Sequence, residues 1–311
     1  MKVFVAGASG AIGRPLVDQL VASGHQVTGM TRRPHRAERI AAQGAKAVIC
    51  DVFDAGALDA AVADAAPEVV VHQLTALPQA LDMSKPGIYD ATNRVRTEGT
   101  RNLVAASKRA GARRLIAQSV AFLYAPTGSW VKGEDDATME NAPGHFGAAM
   151  DAMLDAEGQV LGADGLEGLV LRYGFFYGPG TAYAHDGYWA GEARRRRLPV
   201  VGSGEGMSSF IHVDDAAGIT VAAVERGGPG IYNAVDDDPA QLRDWAPAFA
   251  AGVGAKRPLR VPAFLARIVA DKALVGLALT SRAASNEKAR RELGWEPAIP
   301  SWREGFQRAL A

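Results

Sequence analysis

The sequence predicts an α/β fold, a doubly wound parallel sheet with a smaller α+β lobe for substrate, and three observations lead there. Apolar strands alternate with amphipathic helical stretches as far as about Thr181, the pattern of a parallel sheet covered by helices on both faces. Three evenly spaced glycines, Gly7, Gly10 and Gly13 in GASGAIG, stand between the first strand and the first helix. Beyond Thr181 the alternation loosens, and Gly, Pro and aromatic residues become frequent.

Lys2 to Ala6 reads as the first strand. Arg14 to Ser23 carries Leu16, Val17, Leu20 and Val21 at helical spacing, and Gly24 stops it. His25 to Met30 is the second strand. A helix around Arg36 to Gln43, a strand at Ala45 to Cys50, a helix around Ala55 to Ala65 and a strand at Glu68 to His72 follow. Next come a helix at Asn93 to Ala110, a strand at Arg113 to Ser119, a helix closing near Gly158 to Ala163, and a strand at Glu167 to Tyr173. In the looser part, Ser209 to Val213 and Gly230 to Ala234 read as short strands, Gln241 to Ala251 and Ala263 to Leu279 as helices. The expected division is a nucleotide-binding domain over residues 1–180, with returning segments near 209–235, and a mostly substrate-binding lobe over 181–311.

Each glycine has its own reason. Gly7 allows the tight turn, Gly10 lets a pyrophosphate approach the backbone, and Gly13 permits close helix packing, while the N–H groups at the helix start face the anion. A site for NAD ordinarily carries an acid at the end of the second strand. Here the stretch is Thr31, Arg32, Arg33 and Pro34, and guanidinium groups suit a 2′-phosphate, so the expected cofactor is NADP. The plainer alternative makes Arg32 and Arg33 solvated turn residues.

Composition excludes several classes. Lys plus Arg and Asp plus Glu balance at 34 each, so no global field draws the chain to nucleic acid or membrane. The single cysteine, Cys50, forms no internal disulfide and ends an apolar strand, which suits a buried thiol. Lys2 runs at once into the first strand, so no signal peptide is expected and a cytoplasmic enzyme is. Ala263 to Leu279 is broken by Arg267, Asp271 and Lys272, too charged to span a bilayer. His212 with Asp214 and Asp215 lacks a third ligand at suitable spacing, so no metal is expected. His72 reads as a structural histidine.

Further blocks occur in order: DVFD at Asp51 to Asp54, VVVHQLTA at Val69 to Ala76, EGTRNLVAAS at Glu98 to Ser107, LRYGFFYGPG at Leu171 to Gly180, FIHVDDAA at Phe210 to Ala217, GIYNAVDDDP at Gly230 to Pro239 and ARRELGWEP at Ala289 to Pro297. With the glycine fingerprint, they make the chain resemble, almost end to end, the extended or atypical short-chain dehydrogenases/reductases of the NAD(P)-dependent epimerase/dehydratase kind. The resemblance implies that Gly7, Ser9, Gly10, Ala11, Ile12 and Gly13 hold the pyrophosphate, Arg32 and Arg33 the 2′-phosphate, and Asp51 with Val52 the adenine. It further implies Leu74 and Thr75 near the linked ribose, Tyr173 and Gly174 near the nicotinamide, a small-molecule substrate and a homodimer. Asp51 also reads as a helix cap.

The resemblance implies a Ser or Thr at the end of the fifth strand and a Tyr four residues before a Lys. Ser119 matches the first. In HFGAAM the other two positions hold Phe146 and Met150, and neither moves a proton. Three readings stand. The favoured one is an NADP-dependent oxidoreductase acting on a carbonyl or hydroxyl carbon, with Ser119 bonding the substrate oxygen and His145, Tyr124 or water supplying the proton. Tyr124 is then expected on the loop above the nicotinamide. A second is a non-redox elimination, cyclisation or epimerisation, with His185 and Asp186 as acid and base. The third is an NADP(H)-sensing binding protein without turnover. Tyr177, Tyr183, His185, Tyr188 and Trp189 are expected to wall the substrate.

Overall fold

Seven strands join in parallel, the central ones buried on both faces. They are β1 (Lys2–Ala6), β2 (Gln26–Thr31), β3 (Lys46–Ile49), β4 (Val69–His72), β5 (Arg114–Val120), Glu167–Tyr173 and Gly230–Ala234. Val3 to Ala6 and Val69 to Val71 are buried throughout, as strands packed under helices on both sides must be. The spatial order is Gly230–Ala234, Glu167–Tyr173, β5, β4, β1, β2, β3. It reverses between β1 and β4, and that reversal opens a crevice at the carboxyl ends of the strands. The computed structural model of the chain describes residues 1–78, 85, 87–140, 142, 144–269 and 272–310.

The helices are α1 (Gly13–Ala22), α2 (Pro34–Ala42), α3 (Ala55–Ala65), α4 (Asp90–Arg94), α5 (Thr100–Arg109) and α6 (Gly144–Leu161). On one face Leu16, Val17 and Leu20 of α1 and Ile40 of α2 pack with Ile219 and Ala223 from the helix Val213–Glu225. On the other, Leu58 and Val62 of α3, Leu103 of α5 and Val160 of α6 close over Phe4, Val70 and Leu115. A separate aromatic core holds Tyr177, Tyr183, Phe210, Trp245, Phe249, Trp302 and Phe306, contributed mostly by chain beyond the fingerprint half. No helix among the described residues is long and apolar enough to cross a membrane.

Three elements differ from the sequence reading. α2 begins at Pro34 rather than Arg36, since proline at the first helical position loses no bond that the helix needs. The stretch expected as one helix from Asn93 is α4, a π-helical turn at Val95–Gly99, and α5. There the Thr97 hydroxyl donates to the Asn93 carbonyl at 3.0 Å and competes with the regular ladder. Ala263 to Leu279 contains two helices, Ala263–Val269 and Lys272–Thr280; positions 270 and 271 lie outside the described residues.

Candidate active site

The crevice begins at the glycine loop. Gly7 has φ +99°, and a Cβ there would stand 2.5 Å from the Gln73 carbonyl oxygen at the end of β4, so only glycine fits. A Cβ on Gly13 would collide with the Gly7 carbonyl and Ala8 backbone. Gly10 is different, because its Cβ would meet only the Gly7 oxygen, at 3.3 Å. One side of that turn is therefore open to a ligand. Ser9 hydrogen-bonds Thr31 at 3.1 Å, Ala11 is half-buried, and Ile12 packs into the core.

The ends of β2 and β3 meet beside this loop. Arg32 reaches Asp51 at 3.7 Å with both side chains about half exposed. Asp51 accepts the Phe53 N–H at 3.0 Å, but the cap of α3 is Asp54, which accepts from Ala57; the cap reading of Asp51 is corrected accordingly. Val52 is buried, its carbonyl held by Asn102. Arg14, Arg33 and Arg36 form no ion pair among the described residues. The Arg36 guanidinium is pulled below its usual range by burial and then by Arg33, Arg14 and Arg39. Arg14 also reaches the glycine turn, donating from Nε to the Gly10 carbonyl at 3.4 Å. Arg14 and Arg36 were missed in the sequence because their approach to the loop depends on how α1 and α2 pack. Leu74 is half-buried and Thr75 exposed at the end of β4.

Several expected site residues have protein partners. Ser119 is 2% exposed and donates to Glu157 Oε1 of α6 at 2.5 Å; Arg172 holds the same carboxylate through two bonds of 2.9 and 2.7 Å. The Ser119 hydroxyl is thus engaged by the protein. Tyr124, expected above the nicotinamide, is 1% exposed and donates to Asn233 Oδ1 at 2.7 Å, with Arg172 5.0 Å over its ring. Burial raises its pKa, the wrong direction for a proton donor at neutral pH. Tyr173 is fully buried, bonded to Gln73 and Thr220 and pushed by burial to about 12, so it braces the crevice from below. Gly174 is a glycine because the Ser209 carbonyl would lie 2.6 Å from its Cβ.

The expected substrate wall divides, with Tyr177 and Tyr183 buried and Tyr188 and Trp189 half-buried. Tyr177 and Tyr183 belong to the aromatic core, both raised by burial. Tyr183 packs on Trp189, Trp245 and Phe249, and Tyr188 stacks edge-on to Trp189 at 5.1 Å. His185 and Asp186 are exposed, and His185 Nε2 lies 3.0 Å from Arg194 Nη2. Aromatic content indicated apolar contact without indicating whether the contact was ligand or core.

The first turns of α6 pack into an apolar cluster. Phe146 and Met150 stand one turn apart and join Tyr89, Leu123, Ala149 and Met153 in a single cluster, bordered by half-buried Val120, Phe122, Met139 and Leu277. Phe122, just past β5, stacks on Phe175 at 4.8 Å and 7°. Their place after the carboxyl ends of neighbouring strands was the signal available in the sequence. His145 is half-buried at the start of α6, with no hydrogen bond among the described residues. His72 is buried against Thr100 at 3.0 Å, and burial lowers its pKa to about 4.

The model of the NAD dependent epimerase/dehydratase family matches residues 3–234. A 3-diazoavenalumate denitrifying reductase from a Streptomyces species is 45% identical over 309 residues, 99% of this chain and 100% of that one. The 2-alkyl-3-oxoalkanoate reductase of Stenotrophomonas maltophilia is 27% identical over 345 residues, 100% and 99% of the two chains. Among solved structures, the UDP-glucose 4-epimerase of Thermotoga maritima with UDP-glucose superposes with a TM-score of 0.78 at 21% identity, covering 100% of this chain and 97% of that one.

Proposed function

The chain belongs to the NAD dependent epimerase/dehydratase family and is an oxidoreductase, and we propose that it uses NADPH to reduce a substrate whose hydride acceptor needs no proton from the protein. The class that fits best is an aryl diazo acid. One observation carries the reading: Phe146 and Met150 are built into a continuous apolar cluster at the crevice, and Ser119 and Tyr124 are spent on Glu157 and Asn233.

Arg33, Arg36 and Arg14 would hold the 2′-phosphate, and the turn at Gly7, Gly10 and Gly13 the pyrophosphate. When bound, the nicotinamide supplies hydride. A ketone that accepts hydride becomes an alkoxide and must draw a proton from an acid. In its cationic diazonium form the diazo group is neutralised by hydride added at the arene carbon that bears it, and cleavage of that C–N bond releases dinitrogen, so one diazonium and one hydride give one arene and one dinitrogen. No acid is consumed, and an apolar surface of half-buried Phe122 and Phe175, backed by the cluster around buried Phe146 and Met150, suits a flat arene. The relative named for denitrifying a diazo acid, at 45% identity, supports this over the elimination, epimerisation and nucleotide-sensing alternatives. In this reading residues 1–180 with 209–235 hold the nucleotide.

Half-buried His145 beside Phe146 favours one second reading, ketone reduction with imidazole as the acid. The test runs NADPH oxidation and dinitrogen release on an aryl diazo acid beside a 3-oxoacid and an enzyme-free blank. Diazo turnover above the blank that survives His145→Phe is expected. Turnover of the 3-oxoacid alone, lost in His145→Phe, would replace this reading with the ketone one.

A further inference from the structure

We infer that Arg96 binds the carboxylate of the substrate at the crevice end of α6. The inference rests on the reductase reading and names how that site selects acids. Arg96 lies on the π-helical turn Val95–Gly99, where the extra residue breaks the regular facing of the helix. Its Nη1 donates to the Ala149 carbonyl at 3.1 Å and to Asn93 Oδ1 at 3.3 Å. Ala149 immediately precedes Met150 and belongs to the same apolar cluster as Phe146. The guanidinium is thereby fixed against the α6 backbone one residue before Met150, the position at which the family resemblance calls for a lysine.

Three features make this arginine a binding group. It forms no ion pair among the described residues, unlike its neighbour Arg94, which pairs with Glu98. Among the described residues only Nη1 donates to the protein, with Tyr89 as an electrostatic neighbour, so Nε and Nη2 are the donors offered to the two oxygens of a carboxylate, the geometry a guanidinium fork matches best. It is half-buried, closed enough to strengthen a charge pair yet open to a ligand. Burial lowers its pKa to about 10, which leaves it charged at neutral pH and short of a counter-ion. Two relatives of this chain are named for carboxylate substrates, a diazoavenalumate and an oxoalkanoate.

The test is calorimetric and independent of turnover. 4-Hydroxycinnamate and its methyl ester are titrated into the NADP-loaded full chain, wild type, Arg96→Gln and Arg96→Lys. Wild type is expected to bind the acid at least about tenfold more tightly than the ester, Arg96→Gln to lose that preference with ester affinity kept, and Arg96→Lys to retain part of it. In steady state the loss falls mainly on KM, with kcat changed less. Equal binding of acid and ester by wild type, or an acid preference undiminished in Arg96→Gln, would overturn the assignment. If Arg96→Gln does not fold, Arg96→Lys decides: an acid preference equal to wild type counts against a two-bond fork. Failure of diazo turnover with acid preference intact would remove the proposed reaction and leave Arg96 as an acid-binding residue.

Discussion

Ser119 gives its hydroxyl proton to Glu157 at 2.5 Å, and Glu157 is clasped from its other side by Arg172. Ser119 and Arg172 are register partners on adjacent strands, and Arg172 is in turn the partner of Asn233. A polar row thus crosses three strands beneath the crevice, tied to α6 by Glu157 and to the loop after β5 by Tyr124. The Arg172 and Glu157 side chains are only 4% and 6% exposed. Breaking one partner of such a pair costs about 3–5 kcal/mol, while removing the serine bond to a charged group costs about 1.5–3 kcal/mol. Ser119→Ala and Glu157→Gln should therefore lower the urea midpoint in that order. Ser119→Ala should keep kcat within a few-fold; a loss of a hundredfold would return Ser119 to the chemistry.

Tyr124→Phe removes the donor to buried Asn233 Oδ1. A destabilisation of about 1–2 kcal/mol is expected, with turnover kept. Steady-state kinetics beside thermal melting separate that from a catalytic role, which would reverse the two effects.

The cation group at the ends of β2 and β3 makes a selective prediction. Arg33→Ala should weaken NADPH about tenfold or more and leave NADH nearly unchanged. Arg32→Ala should do less, because Arg32 already faces Asp51. Nicotinamide fluorescence titration reads both; equal losses for NADPH and NADH would place the 2′-phosphate elsewhere.

Gly7→Ala combines a positive φ of 99° with a Cβ 2.5 Å from the Gln73 carbonyl. A cost of about 2–3 kcal/mol and loss of dinucleotide binding are expected. Gly24→Ala, at φ +80° with open space around it, should show the φ penalty without loss of binding. Melting curves with and without NADPH compare them.

His72 sets an acid limit on stability. Its folded pKa of about 4 lies below the usual 6.5, so the unfolded chain takes the proton first. The contribution is fully present above pH 6.5 and is lost as pH falls through about 4. It amounts to on the order of 3 kcal/mol. Urea midpoints between pH 7 and 4 should fall less steeply in His72→Gln than in wild type, and parallel slopes would contradict it.

The glycine turn was legible in the sequence because its requirement is on the backbone: Gly7 and Gly13 are fixed by sterics that any ligand-free structure shows. Ser119, Tyr124 and Tyr173 have partners that were not legible in the sequence for a common reason. Their positions near strand ends were right, but the face each presents depends on pleat and on the partner it meets, and Glu157, Asn233 and Thr220 are distant in sequence. The aromatic stretch from Tyr183 to Trp189 looked like a pocket because composition does not distinguish a wall from a core. Arg96 was invisible, since a π-helical turn changes the helix face and regular spacing does not announce one.

The most direct measurement is the yield of dinitrogen per NADPH oxidised when an aryl diazo acid is mixed with the NADPH-loaded chain. One dinitrogen for each NADPH, at a rate that His145→Phe leaves within a few-fold, is the predicted result. NADPH oxidation without dinitrogen, or a rate abolished by His145→Phe, would contradict reduction without a protein acid.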